Sequence, residues 1–235
     1  MKKIIILTLV CLSIYACNNK TPDKDELKRI RNDSLSARII ANTEKMIRGS
    51  LRDSTGYINI GDNTNLSFKF DIDTTRNLIK TITMFKDNKK HQTIEVNKIP
   101  EMTLYYLIDW NFDGYKDLTL FQMWGSGGRS YWIWNYSNKT KKYYYNTELS
   151  EITGLEIDSL SESIIVNYRG GWSIELWDTL KYIDKKLTLI NGLTVERGVA
   201  DSGNIWITRT HRSLVNNRLV TKVDSPVIVN EKTIY

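Results

Sequence analysis

The 235-residue chain has few of the residues that usually mark chemistry: two cysteines, two histidines and three prolines. Both cysteines, Cys11 and Cys17, fall near the N-terminus, so the rest of the chain has no thiol. That excludes nucleophilic cysteine, thiolate metal binding and a disulfide framework from the body of the protein. Two histidines without cysteine partners do not make a zinc cluster. His91 follows Lys89-Lys90 in a turn-like stretch and His211 lies beside Arg209 and Arg212, so both are expected in solvent and neither suggests a Ser-His-Asp arrangement. No dense basic stripe accompanies the formal charge of +6, and the lysines and arginines are scattered, so nucleic acid is not an expected partner. Carboxylate pairs such as Glu175 with Asp178, or Asp158 with Glu162, have no spacing that separates them from solvated strand ends. No catalytic residues are assigned, and the protein is not expected to be an enzyme.

Long apolar runs are also missing. The one from Ile4 to Ala16, after Met1-Lys2-Lys3, is too short to span a hydrocarbon core of about 30 Å. It reads as the apolar region of an export signal, residues 1–16. Ile14-Tyr15-Ala16-Cys17 resembles a bacterial lipobox, which would make Cys17 the lipidated first residue of the mature chain. An ordinary secretory signal with a chance cysteine is the alternative. Loss of Lys2 and Lys3 with the leader lowers the formal charge from +6 to +4. Residues 17–50 read as a polar tether and a spacer helix over 25–47, with alternating charges.

What is abundant is alternation. Residues 51–235 read as a mainly β domain, an antiparallel meander of irregular propeller-like or barrel-like form. Strands are expected near 67–72, 78–85, 93–97, 103–109, 117–123, 130–136, 141–146, 163–168, 172–177, 187–190, 193–196 and 204–209. Gly170-Gly171 and Ser137-Asn138-Lys139-Thr140 signal hairpins. All seven tryptophans lie between Trp110 and Trp206, which places the expected core there; stacking on sugars competes with packing as their role.

The most specific segment is Asp109-Trp110-Asn111-Phe112-Asp113-Gly114-Tyr115-Lys116-Asp117. Oxygen side chains at positions 1, 3 and 5 with glycine at 6 form the first half of an EF-hand-type calcium loop. Alternate residues of a tightly turning loop face its centre. Asp109, Asn111 and Asp113 would therefore give side-chain oxygens, Tyr115 its carbonyl, and Asp117 a carboxylate directly or through water. Position 12 is Leu120 and not Glu, so the segment is closer to the shorter D-x-N-x-D-G-x-x-D loops set between strands. An Asp/Asn/Gly-rich turn without metal is the alternative.

One strand later comes Trp124-Gly125-Ser126-Gly127-Gly128-Arg129-Ser130-Tyr131, which lacks the Gly-Lys-Ser/Thr ending of a phosphate-binding loop. Taken alone it is a flexible hairpin. Together with the calcium loop and the runs Trp132-Ile133-Trp134-Asn135-Tyr136 and Lys141-Lys142-Tyr143-Tyr144, it resembles a family of bacterial envelope lipoproteins. These carry an EF-hand-like loop on a β-propeller-like domain, and some are inhibitors or immunity proteins against peptidoglycan hydrolases such as lysozyme-like type IV secretion effectors. The resemblance covers roughly residues 103–190. It implies calcium as cofactor, a protein partner met by Ser126, Gly127, Gly128, Arg129 and Tyr131, and anchorage to an envelope membrane facing the periplasm or cell surface. The spacing from Ser126 to Tyr131 is longer than in the compact lysozyme-inhibitor motif. A glycan-binding surface lipoprotein is the second reading, and a hydrolase whose site the sequence does not show is the third.

Overall fold

The computed structural model describes residues 47–50 and 57–229, except 74, 101–103 and 126. The export signal, Cys17 and the expected helix up to residue 46 lie outside the described residues. Ile47–Ser50, assigned above to the end of the tether, is instead a strand, β1, so the β domain begins earlier than its expected boundary.

Among the described residues sixteen strands follow one another in three antiparallel sheets. The first sheet is a meander of β2 (Ile58–Gly61), β3 (Thr64–Asp73), β4 (Leu78–Lys86) and β5 (Lys89–Pro100). The second places β1 beside β6 (Leu104–Ile108) and continues through β7 (Asp117–Gly125), β8 (Gly128–Ser137) and β9 (Lys142–Tyr145). A single turn of helix, α1 (Thr147–Ser150), then leads to the third sheet, its start capped by the Asn146 side chain accepting from Leu149 N–H at 2.9 Å. That sheet runs β10 (Leu155–Asp158), β11 (Ser163–Gly170), β12 (Ile174–Ile183), β13 (Lys186–Val199), β14 (Ile205–Val215) and β15 (Arg218–Val223), with β16 (Val227–Val229) pairing on β14. None of the three sheets closes into a barrel.

Turn chemistry explains why consecutive strands pair so regularly. The pairs Asp62-Asn63, Asp87-Asn88, Asp184-Lys185 and Asn216-Asn217 all have positive φ at both residues. That is the two-residue geometry whose twist matches the flanking strands, and Asn and Asp tolerate it best among residues with a side chain.

The second sheet is the middle layer, and strict alternation along β8 shows it. Trp134 and Tyr136 join a cluster with Phe68, Ile82 and Met84 of the first sheet. Tyr131 and Ile133 point the other way, into a cluster with Trp110, Leu149, Leu155 and Ile164. Much of the first cluster is aliphatic and comes from residues before Trp110, so the core is not confined to the tryptophan-bearing stretch. Trp172 stands 58% exposed. The edge of the middle sheet is also tied down. Gln92 on β5 donates to the Tyr143 carbonyl and accepts from Tyr143 N–H, both at 2.8 Å, and so covers the open side of β9. His91, expected in solvent, is partly buried, with its Nε2 2.7 Å from the Lys141 carbonyl.

Candidate functional site

The candidate cation loop, 109–117, fills the connection from β6 to β7. Its first six residues wind around their own oxygens. Asp109 accepts from Asp113 N–H at 3.1 Å and Gly114 N–H at 2.9 Å, Asn111 Oδ1 from Asp113 N–H at 3.3 Å, and Asp113 Oδ1 from Tyr115 N–H at 2.9 Å. Two residues take left-handed backbone, Gly114 at φ 88° and Phe112 at φ 58°. Glycine does so freely, whereas phenylalanine is strained there. Burial pushes the Asp109 carboxyl up, and the nearby Asp113 carboxylate adds to it, against the N–H groups that favour the charged form.

The first sheet holds this loop in place. Lys116 N–H donates to the Ile60 carbonyl at 2.7 Å, and Tyr115 Oη donates to Asp62 at 3.1 Å. Gly61 is obligatory: a Cβ there would lie 2.3 Å from the Gly114 carbonyl oxygen.

Asp117 stands apart from the other loop residues. It is fully buried, and both its oxygens are engaged by N–H donors: Trp110 at 3.0 Å, Asn135 Nδ2 at 2.7 Å and Tyr136 at 2.8 Å. Burial pushes this carboxyl well above the usual carboxylate range, with the three donors opposing. It fastens the loop exit to β8 and does not face the turn. Among the described residues no three Asp, Glu, His or Cys side chains converge closely enough to hold a metal. The side-chain oxygens that converge on the turn are those of Asp109, Asn111 and Asp113, each accepting a hydrogen bond from within the loop, among them one from Asn111 Nδ2 to Asp113 at 3.0 Å.

The glycine-rich hairpin lies at the other end of β7, about 26 Å of extended chain away. Gly125 pairs with Gly128, which leaves a two-residue turn; Ser126 is outside the described residues. An extra residue in β7 between Phe121 and Met123 bends the approach. The glycines here serve close packing: a Cβ on Gly127 would meet the Tyr168 ring at 2.7 Å, and one on Gly128 the Gly154 Cα at 2.6 Å. Gly154 N–H donates to the Arg129 carbonyl, and its own carbonyl accepts from Asn167 N–H, each at 2.8 Å, which couples β8 to β11. The hairpin is therefore fixed against the third sheet and is not a freely projecting loop.

Arg129 lies on the exposed rim of a cavity of about 320 Å³ whose other walls include Glu156, Asn167, Arg169 and Trp177. Sequence reasoning missed these four because they come from β10, β11 and β12. Tyr131 lies beneath this surface, with the Arg129 side chain hydrogen-bonded to its hydroxyl. It is buried and packs against Trp110, Tyr106 and Phe121 with ring centroids 5.9, 6.2 and 6.0 Å away. Tyr131, expected as a partner contact, is thus a core residue that supports Arg129 from below, since a step of two keeps both side chains on one face of β8.

The carboxylates considered for catalysis are engaged elsewhere. Glu175 lies 3.6 Å from Arg169 and 3.2 Å from Arg197, while Asp178 on the opposite face of β12 bonds Arg212 at 2.8 Å. Asp158 accepts from Leu160 and Ser161 N–H in the turn after β10.

Among solved structures the chain is similar to a Xanthomonas type IV secretion system related protein. The two share 16% identity over 73% of this chain and 99% of that one, with a TM-score of 0.46. No family model matches the chain, and no curated protein does. No helix among the described residues is long and apolar enough to cross a membrane.

Proposed function

We propose that this chain is a lipid-anchored, calcium-stabilised protein of the bacterial cell envelope that binds and blocks a protein partner, a peptidoglycan hydrolase of the lysozyme kind. The observation that carries the reading is the cavity at the Gly127–Gly128 turn, where Arg129 and Arg169 stand beside one recess on a tightly packed hairpin. Guanidinium groups recognise carboxylates by paired, charge-assisted hydrogen bonds, and glycosidase clefts carry a pair of carboxyl groups. A hairpin already held in shape loses little freedom on binding. Asp109, Asn111, Asp113 and the Tyr115 carbonyl would hold calcium and stiffen the β6–β7 connection, with Asp117 supporting it from the strand. Anchorage rests on Ala16-Cys17 after the short apolar run.

Inhibition assays against a panel of lysozyme-type hydrolases test the reading. Loss of inhibition in Arg129→Ala with an unchanged melting temperature supports it. A folded Arg129→Ala/Arg169→Ala double variant that inhibits as well as the parent contradicts it. For the anchor, Cys17→Ser should abolish the acyl mass and membrane retention; a variant that keeps both refutes the lipobox.

A further inference from the structure

We infer that a second cavity, beside the candidate cation loop, binds a neutral saccharide of about two rings. It measures about 540 Å³, within the usual range for small-molecule sites, and lies at the opposite end of β7 from the hairpin. Asn111 and Asp113 reach it from the loop, Asn138 from the β8–β9 turn, Tyr144 from β9, and Tyr182 and Lys185 from the β12–β13 hairpin.

Three features of the lining select the ligand class. Every lining side chain is polar or a tyrosine, so the apolar surface of the cavity comes from ring faces and the carbons of polar side chains and not from aliphatic residues, a mixture that suits a sugar's C–H faces and hydroxyls. Lys185 and Asp113 are its only charged residues and have opposite sign, so an anion meets no excess of positive charge there, in contrast to the two arginines at the hairpin cavity. Amides present a donor and an acceptor side by side, the complement of a hydroxyl, which is both. Tyr144 is 51% exposed and lines the cavity, and a tyrosine ring combines a flat apolar face, suited to the C–H face of a pyranose, with a hydroxyl at its edge. The floor is rigid: Asn135 donates to Asp117 at 2.7 Å and accepts from Asn146 Nδ2, so the site is formed before a ligand arrives.

The test uses the full chain with N,N′-diacetylchitobiose, maltose and inorganic phosphate as probes, followed by saturation-transfer NMR and calorimetry. Saturable binding of at least one disaccharide is expected, weakened about tenfold or more by Tyr144→Ala. Arg129→Ala, at the other cavity, should leave it unchanged, which keeps this result separate from the hydrolase reading. Asn138→Ala, in an exposed turn, provides the same test if Tyr144→Ala does not fold. Absence of saturable disaccharide binding at millimolar concentration, tighter binding of phosphate than of either sugar, or parental affinity in both variants would overturn the inference.

Discussion

The middle sheet and the outer half of the third sheet are built from the same kind of strand and held together in different ways. In the middle sheet β7 and β8 bury residues on both faces: Leu118 and Leu120 on one side, Thr119 and Ile133 on the other. In the third sheet no residue of β12 or β14 is fully buried, and β15 is exposed throughout. There the strands are held by side chains that cross them. Arg212 of β14 reaches over Gly192 of β13 to Asp178 of β12, and bonds Thr194 on the way at 2.9 Å. Trp206 lies over Gly198 in the same manner. On the other face Arg169, Glu175 and Arg197 form a ladder across β11, β12 and β13. Burial of apolar surface stabilises far more than partly exposed ion pairs do, so the difference should be visible as a gradient of local stability.

The largest effect is expected in the middle sheet. Asp117→Ala would leave three buried N–H donors without an acceptor and should cost about 3–5 kcal/mol in chemical denaturation. Tyr131→Ala should cost a similar amount, about 3–5 kcal/mol, since it empties a site among three other rings. A mild effect at Tyr131, with partner binding lost, would restore it to the interface. Next comes the third sheet. Gly192→Ala sets a Cβ 2.3 Å from an Asp178 oxygen and should cost about 1–3 kcal/mol by displacing the Arg212 crossing. No change there would mean that the crossing does not hold the strands.

The smallest effect is at the edge. Asp224, just past β15, is held below the usual carboxylate range, first by the hydrogen bond from His211 at 3.1 Å and then with help from Lys222. A depressed carboxyl stabilises above its unfolded value, near 4, and that contribution is lost as pH falls through the lower folded value. Amide exchange, taken relative to its intrinsic rate at each pH, should therefore speed up in β14 and β15 at acid pH before it does in β7 and β8. Uniform acceleration across both sheets would contradict the gradient.

Most of the meander was legible because alternation and hairpin residues are local signals. The misses were strands whose evidence is not local. β13 read as two strands, 187–190 and 193–196, on either side of Asn191-Gly192, whereas the missing side chain of Gly192 is what lets Arg212 cross one continuous strand. β15 buries neither face, so no alternation of burial accompanies it. The winding of 109–114 follows from its own side chains and was readable, but the role of Asp117 was not. Its donors on Asn135 and Tyr136 come 18 and 19 residues later.

The division of the 109–117 segment into a cation-holding turn and a buried fastener is tested most directly by thermal melts of metal-free protein with and without calcium. The wild type and the variants Asp113→Ala and Asp117→Asn would be compared. The wild type should gain about 1.4 kcal/mol when free calcium is tenfold above its Kd, and Asp113→Ala should lose the response. Asp117→Asn should begin less stable and still gain from calcium. Calorimetry showing no calcium binding to the wild type at millimolar concentration, or a calcium response that survives Asp113→Ala and vanishes in Asp117→Asn, would contradict the account.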